Sequence, residues 1–133
     1  MLKEKIRDFY SLGYLNCAES MLYGANDYYD LKLDKKAFKL MSPFGGGMQI
    51  ESVCGAITGA LSVIGVIFTE KYQHEGELVK TVTTDFMSKI KKVFGSYDCS
   101  NIKKDWRDEE KGCIEVVSKV GEILEETINK YRE

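Results

Sequence analysis

SVCGAITGALSVIGVIFT, residues 52–69, is an eighteen-residue run without a charge that opens on a cysteine and contains three glycines and two alanines. Its apolar residues do not fall on one face, so as a helix it is buried on all sides, at the centre of a core. Ser52, Thr58, Ser62 and Thr69, with the glycines at 55, 59 and 65, make it too polar for lipid. It also sits at the lower edge of the roughly 20 apolar residues a bilayer span needs. Gly55 and Gly59, with Ala56 and Ala60 beside them, lie one turn apart and let neighbouring helices approach closely. Cys54 therefore enters the core at the head of its most crowded helix.

The flanking sequence supplies helices to surround it. Leu2, Ile6, Phe9 and Tyr10 recur at helical spacing among charged residues, and Gly13 ends that first helix. Asn16 is a good N-cap for a second, with Cys17 as its first residue and Met21, Leu22, Ala25, Tyr28 and Tyr29 on its apolar face. Asp34 caps a short third helix reaching Met41, before the Ser42-Pro43 break. After the central run comes a polar connection with His74, the only histidine, in surroundings without metal-site spacing. Leu78, Val82, Phe86 and Ile90 then mark a long helix ending at Gly95, and Lys89, Lys91 and Lys92 in its last turns suit the dipole there. Residues 96–112 read as an irregular segment, with Cys99 in a loop and Trp106 as a lid over the core edge. Cys113, Val116, Val117, Val120, Ile123, Leu124, Ile128 and Tyr131 give the last helix, with Asp108 or Gly112 as its cap. No alternating strand pattern occurs. The expectation is an all-α single domain, residues 1–133, a bundle of five to six helices around the buried Gly/Ala-rich central helix.

One hundred and thirty-three residues, 44% hydrophobic and 30% charged with one proline, suit a globular core of long helices. A formal net charge of -2 supplies no pull toward nucleic acid or anionic lipid, so neither nucleic-acid binding nor membrane insertion is expected. The opening MLKEKIRDFY lacks the apolar run of a secretory signal, which points to the cytoplasm. In that reducing compartment four cysteines read as metal ligands or working thiols before permanent disulfides. The blander alternative is four core thiols, because cysteine buries readily.

Cys17, Cys54 and Cys113 each fall in the opening turn or so of a helix, with Cys99 fourteen residues before Cys113. Helix N-termini favour a thiolate, but one terminus is worth only about 0.3–1 kcal/mol and burial opposes it. Metal coordination would deprotonate such thiols outright, and four sulfurs suit zinc or an iron–sulfur cluster. The spacings of 37, 45 and 14 lack the close CxxC pairs of zinc ribbons and ferredoxins. The same arrangement would serve reversible disulfides, one cysteine attacking and a neighbour resolving. Gly45, Gly46 and Gly47 form either a tight turn feeding the central helix or a nest of backbone amides beside an anionic cofactor or a thiolate. They match neither a Walker A loop nor a dinucleotide fingerprint.

Asn16-Cys17-Ala18, Phe44-Gly45-Gly46-Gly47-Met48, Cys54-Gly55-Ala56-Ile57-Thr58-Gly59, Cys99 and Cys113 together resemble the C_GCAxxG_C_C family. That family is labelled by four cysteines around a glycine-rich motif, here in the form CGAxxG, and the likeness runs from about Leu12 to Tyr131. The resemblance implies a bacterial or archaeal helical protein thought to act in thiol or metal redox chemistry and often encoded beside transporter genes. It also implies kinship with a domain of split-Soret-type cytochromes that is associated with an iron–sulfur centre, although this chain has no CxxCH haem-attachment motif.

Two functions are therefore expected. The first is a small redox protein in which Cys17, Cys54, Cys99 and Cys113 converge. They either ligate a cluster, such as 2Fe–2S, with Gly45, Gly46, Gly47 and Gly55 supplying close amides, or cycle between dithiol and disulfide with an unknown redox partner. The second is a non-enzymatic helical module whose cysteines hold a structural zinc or fill the core.

Overall fold

The computed structural model describes residues 1–70 and 77–132. It is all-helical: α1 Leu2–Tyr10, α2 Cys17–Tyr29, α3 Lys35–Lys39, α4 Gly55–Phe68, α5 Leu78–Phe94, α6 Cys99–Trp106 and α7 Ile114–Tyr131. Among the described residues there are no strands beyond two isolated bridges, Val53 with Asp98 and Asp108 with Gly112. His74 lies outside the described residues.

The helix boundaries follow from local chemistry. Asn16 and Glu19 form a reciprocal capping box at the start of α2. The Asn16 side chain accepts the Glu19 amide at 2.8 Å, and the Glu19 carboxylate accepts the Asn16 amide at 3.0 Å. Asp34 caps α3 by accepting the Ala37 amide, and Gly95 ends α5 in the left-handed conformation at φ 73°.

One core serves all the long helices. Ile57, Val63 and Ile64 of α4, Met21 of α2, Phe86 of α5 and Leu124 of α7 are fully buried within it. Burying each large aliphatic or aromatic side chain contributes about 1.5–3 kcal/mol before ordering costs. α1 lies across α2 and α7, and α5 closes the bundle against α7 and α4. Buried Glu125 ties the chain start to α7, accepting the Leu2 amide at 3.2 Å and the Tyr28 hydroxyl at 2.8 Å. Trp106 is half-buried and meets Phe94 edge-on, with ring centroids 4.7 Å apart, as a lid on the core edge.

Three expectations need correction. Among the described residues the bundle has seven α-helices, because residues 99–106, expected as a loop, form α6; that helix buries only Ile102, too little for a periodic signal. The central helix begins at Gly55, because Ser52 to Cys54 instead pair with the Tyr97–Cys99 strip. Cys54 N–H donates to Tyr97 O at 2.8 Å, and Cys99 N–H donates to Ser52 O at 2.6 Å. It is also not enclosed throughout, since Val66 near its end is 44% exposed. The last helix takes neither Asp108 nor Gly112 as its cap; Cys113 holds that position.

Candidate functional site

Four cysteines mark the starts of four helices. Cys17 and Cys99 are the first residues of α2 and α6, while Cys54 and Cys113 are the N-caps of α4 and α7. The segment between α3 and α4 gathers these ends. Asn16 donates through its amide nitrogen to Ser42 O at 2.9 Å, which docks the short 3-10 turn Ser42–Phe44 on the start of α2. Gly45 then presses so closely on Asn16 that a Cβ there would lie 2.5 Å from its amide nitrogen.

The next residues make a left-handed turn. Gly46, Gly47, Met48, Gln49 and Glu51 all have φ between 56° and 64°, and the Ser52 amide closes the turn onto Gly47 O at 3.0 Å. Three of these five carry side chains, and non-glycine residues in this region cost on the order of 1 kcal/mol each. Gln49 offsets part of that by donating to Gly45 O at 3.0 Å. The turn presents Gly47 to α6, where a Cβ would sit 2.9 Å from Cys99 Cβ and 2.6 Å from the Ser52 amide.

Gly55 does the same for Cys17. A Cβ on Gly55 would collide with Cys17 Sγ and lie 2.9 Å from Phe44 O. One turn on, a Cβ at Gly59 would lie 2.6 Å from Ala18 O, so α2 and α4 meet backbone to backbone. Of the glycines expected to offer amides to a cofactor, Gly45, Gly47 and Gly55 are packed against Asn16, Cys99 and Cys17, while a Cβ on Gly46 would meet only Gln49 at 3.9 Å.

All four cysteines are free thiols; a charge on Cys17 adds to the rise of the other three, and Cys99 adds a smaller rise to Cys54 and Cys113. The Cys54 thiol is pushed up to about 12, chiefly by burial and then by a charge on Cys17, with the Ala56 and Ile57 amides at the start of α4 pulling the other way. Burial, then Cys17, raises Cys99, opposed by Lys103 one turn along α6 and by Arg107, while Glu51, ion-paired with Lys103, adds to the rise. Burial and then Cys17 also raise Cys113, against which Arg107 acts both as a charge and as a donor to the sulfur. Cys54 is 5% exposed, whereas Cys17, Cys99 and Cys113 are partly exposed.

Tyr10 and Arg107 escaped the sequence reading. The Cys113 amide donates to the Tyr10 hydroxyl at 2.9 Å, and burial raises the Tyr10 phenol above its usual value. Tyr10 had read only as an apolar-face residue of α1. Arg107 had no visible role while residues 99–106 were a loop; as a helix they place Lys103 and Arg107 one and two turns beyond Cys99.

Thiols are good ligands for zinc or an iron–sulfur cluster, yet among the described residues no three His, Cys, Asp or Glu side chains are grouped to hold a metal ion. The donor set has suitable chemistry but not, in this arrangement, the convergence a metal site requires. Among the same residues, no helix is long and apolar enough to cross a membrane.

Fold and site together define a helical protein with a cysteine at the start of each of four helices and glycines packed against two of them, Gly55 on Cys17 and Gly47 on Cys99. The family model described as "Putative redox-active protein (C_GCAxxG_C_C)" matches residues 15–127, and the chain belongs to that family. No curated protein and no solved structure matches it.

Proposed function

We propose that the protein is a thiol–disulfide redox protein in which Cys17 is the shared exchange partner of the surrounding thiols. The observation that carries this reading is the placement of Cys17 Sγ. It fills the space a Gly55 side chain would take, and a charge on it raises each of Cys54, Cys99 and Cys113. Mutual electrostatic coupling of this kind is what sulfur atoms in one neighbourhood produce.

In the reduced state burial holds Cys54, Cys99 and Cys113 as thiols, and a reducing compartment such as the cytoplasm would keep them so. Oxidation removes two thiol protons and two electrons and joins two sulfurs, relieving the cost of charging either thiol. Cys17, Cys99 and Cys113 are all partly exposed; Cys99 and Cys113, each with Arg107 nearby, meet the oxidant first and Cys17 resolves. Cys54 serves as a packed wall of the site.

Anaerobic purification with iron and zinc analysis, paired with a thiol count before and after mild oxidation, tests this. The expected result is a metal-free protein that loses two thiols on oxidation and regains them with a dithiol reductant. Stoichiometric iron with visible colour, or zinc whose removal unfolds the protein, would replace this reading with a cluster or a structural metal.

A further inference from the structure

We propose that the left-handed turn from Gly46 to Glu51 is a strap over Cys99, held shut by the Glu51–Lys103 ion pair, and that release of this pair sets how readily Cys99 enters thiol exchange. The last clause rests on the thiol–disulfide reading above; the strap itself does not.

Three observations lead there. The first is position. Gly47 lies so near α6 that a Cβ on it would stand 2.9 Å from Cys99 Cβ. The Cys99 amide donates to Ser52 O at 2.6 Å, where the turn ends. Glu51 pairs with Lys103 Nζ, one turn beyond Cys99 on α6. A close glycine contact, a backbone bond and an ion pair thus join the strap to the helix that Cys99 begins.

The second is strain. Met48, Gln49 and Glu51 have φ of 62°, 64° and 56°, angles at which each side chain crowds its own backbone. Such residues keep these angles only while their surroundings hold them there. When the hold is released, they relax toward negative φ and the turn opens.

The third is how little apolar packing anchors the turn. Ile50 is 76% exposed and Met48 37%, so hydrophobic burial does little to keep it down. The Ser52 amide on Gly47 O and the Gln49 side chain on Gly45 O, both at 3.0 Å, maintain its shape from within. Of its side-chain bonds among the described residues, the Glu51–Lys103 pair is the one that reaches α6.

Glu51 and Lys103 are therefore positioning residues for Cys99. Both side chains are substantially exposed to solvent, so the pair holds by a modest margin that salt or a neighbouring charge can tip. A modest latch on a strained turn suits regulated opening better than a fixed wall. Closed, the turn packs on Cys99. Open, it uncovers that side of the residue, and the choice between Cys99 and Cys113 as the first thiol to react moves toward Cys99.

Hydrogen exchange at the Ser52 and Cys99 amides, followed by NMR and corrected for sequence effects, reads the opening. Glu51→Gln and Lys103→Gln should each speed exchange at both amides about two- to fivefold, as suits a surface pair. The Glu19 amide, held by Asn16 at the start of α2, should not change. Glu51→Lys combined with Lys103→Glu should restore most of the protection. Salt at about 1 M should reproduce the effect in the unaltered protein, which serves equally if a variant does not fold.

Charge acting on the sulfur alone gives a different pattern. Lys103 lowers Cys99 and Glu51 raises it, so the two substitutions would move the midpoint of its iodoacetamide pH profile in opposite directions and leave the plateau rate unchanged. The strap predicts that both raise the plateau rate of Cys99 relative to that of Cys113. Amides as protected in both variants as in the native chain, or protection lost in Glu51→Gln but kept in Lys103→Gln, overturn the latch. Diamide treatment separates the two levels. Faster amide exchange in both variants with no disulfide after diamide upholds the strap and sinks the redox reading, whereas a disulfide alongside unresponsive amides sinks only the strap.

Discussion

Cys54 and Cys113 hold the same position, the N-cap of a long core helix, and differ in almost everything else. Cys54 is buried beneath the Tyr97–Cys99 strip, 5% exposed, and raised to about 12. Cys113 is partly exposed behind the Tyr10 wall, with Arg107 at its sulfur. A helix terminus contributes too little to make a thiol reactive unaided; what faces the sulfur from other elements decides. One thiol is built into the wall of the site and the other stands at its edge.

The comparison can be broken most severely at the seam that positions Cys17. Replacing Gly59 by leucine forces α2 from α4 and is expected to cost about 3 kcal/mol or more, read from urea unfolding. Gly55→Leu should damage stability and thiol exchange together, because the same space holds Cys17 Sγ. If exchange survives while stability falls, the helix and the site are independent.

Alkylation sharpens the contrast directly. With iodoacetamide at about pH 8, Cys113 should react at least about tenfold faster than Cys54, followed by peptide mapping. Equal rates would mean that Cys54 is not walled in.

A smaller effect is expected in alkaline solution. Because burial raises Cys54, its neutral form is favoured in the folded protein. That contribution is complete below the ordinary thiol value of 9.0 and is lost as pH rises through about 12. Unfolding free energy should therefore decline more steeply between those limits in the native sequence than in Cys54→Ala; parallel curves would contradict the assignment. The mildest change lies at the far end of the same helix. A Cβ on Gly65 meets nothing within 4 Å, so Gly65→Ala should stabilise by up to about 1 kcal/mol in the same urea assay.

Much of this was legible in the chain. Asn16 before Cys17, Asp34 before a short amphipathic run and Gly95 after a stripe of apolar residues each mark a boundary by local chemistry, and the structure places them there. Cys17, Cys54 and Cys113 stand out by their helix-start positions, whereas Cys99 read as a loop residue. What escaped depends on distant partners. Val53 leaves the central helix because it bridges Asp98, forty-five residues away, and no local propensity encodes that. Met48, Gln49 and Glu51 adopt left-handed angles that their side chains disfavour, held by the Gly47–Ser52 closure and by Gln49 on Gly45. α6 stayed hidden because one buried residue, Ile102, sets no period, and with it Arg107 lost its relation to Cys99 and Cys113.

Disulfide mapping after stoichiometric oxidation, by mass spectrometry of peptides cut without reduction, tests the central claim most directly. The account predicts a single intramolecular disulfide containing Cys17, with Cys54 recovered as a free thiol. A disulfide that excludes Cys17, or four thiols recovered free after oxidation, would contradict it.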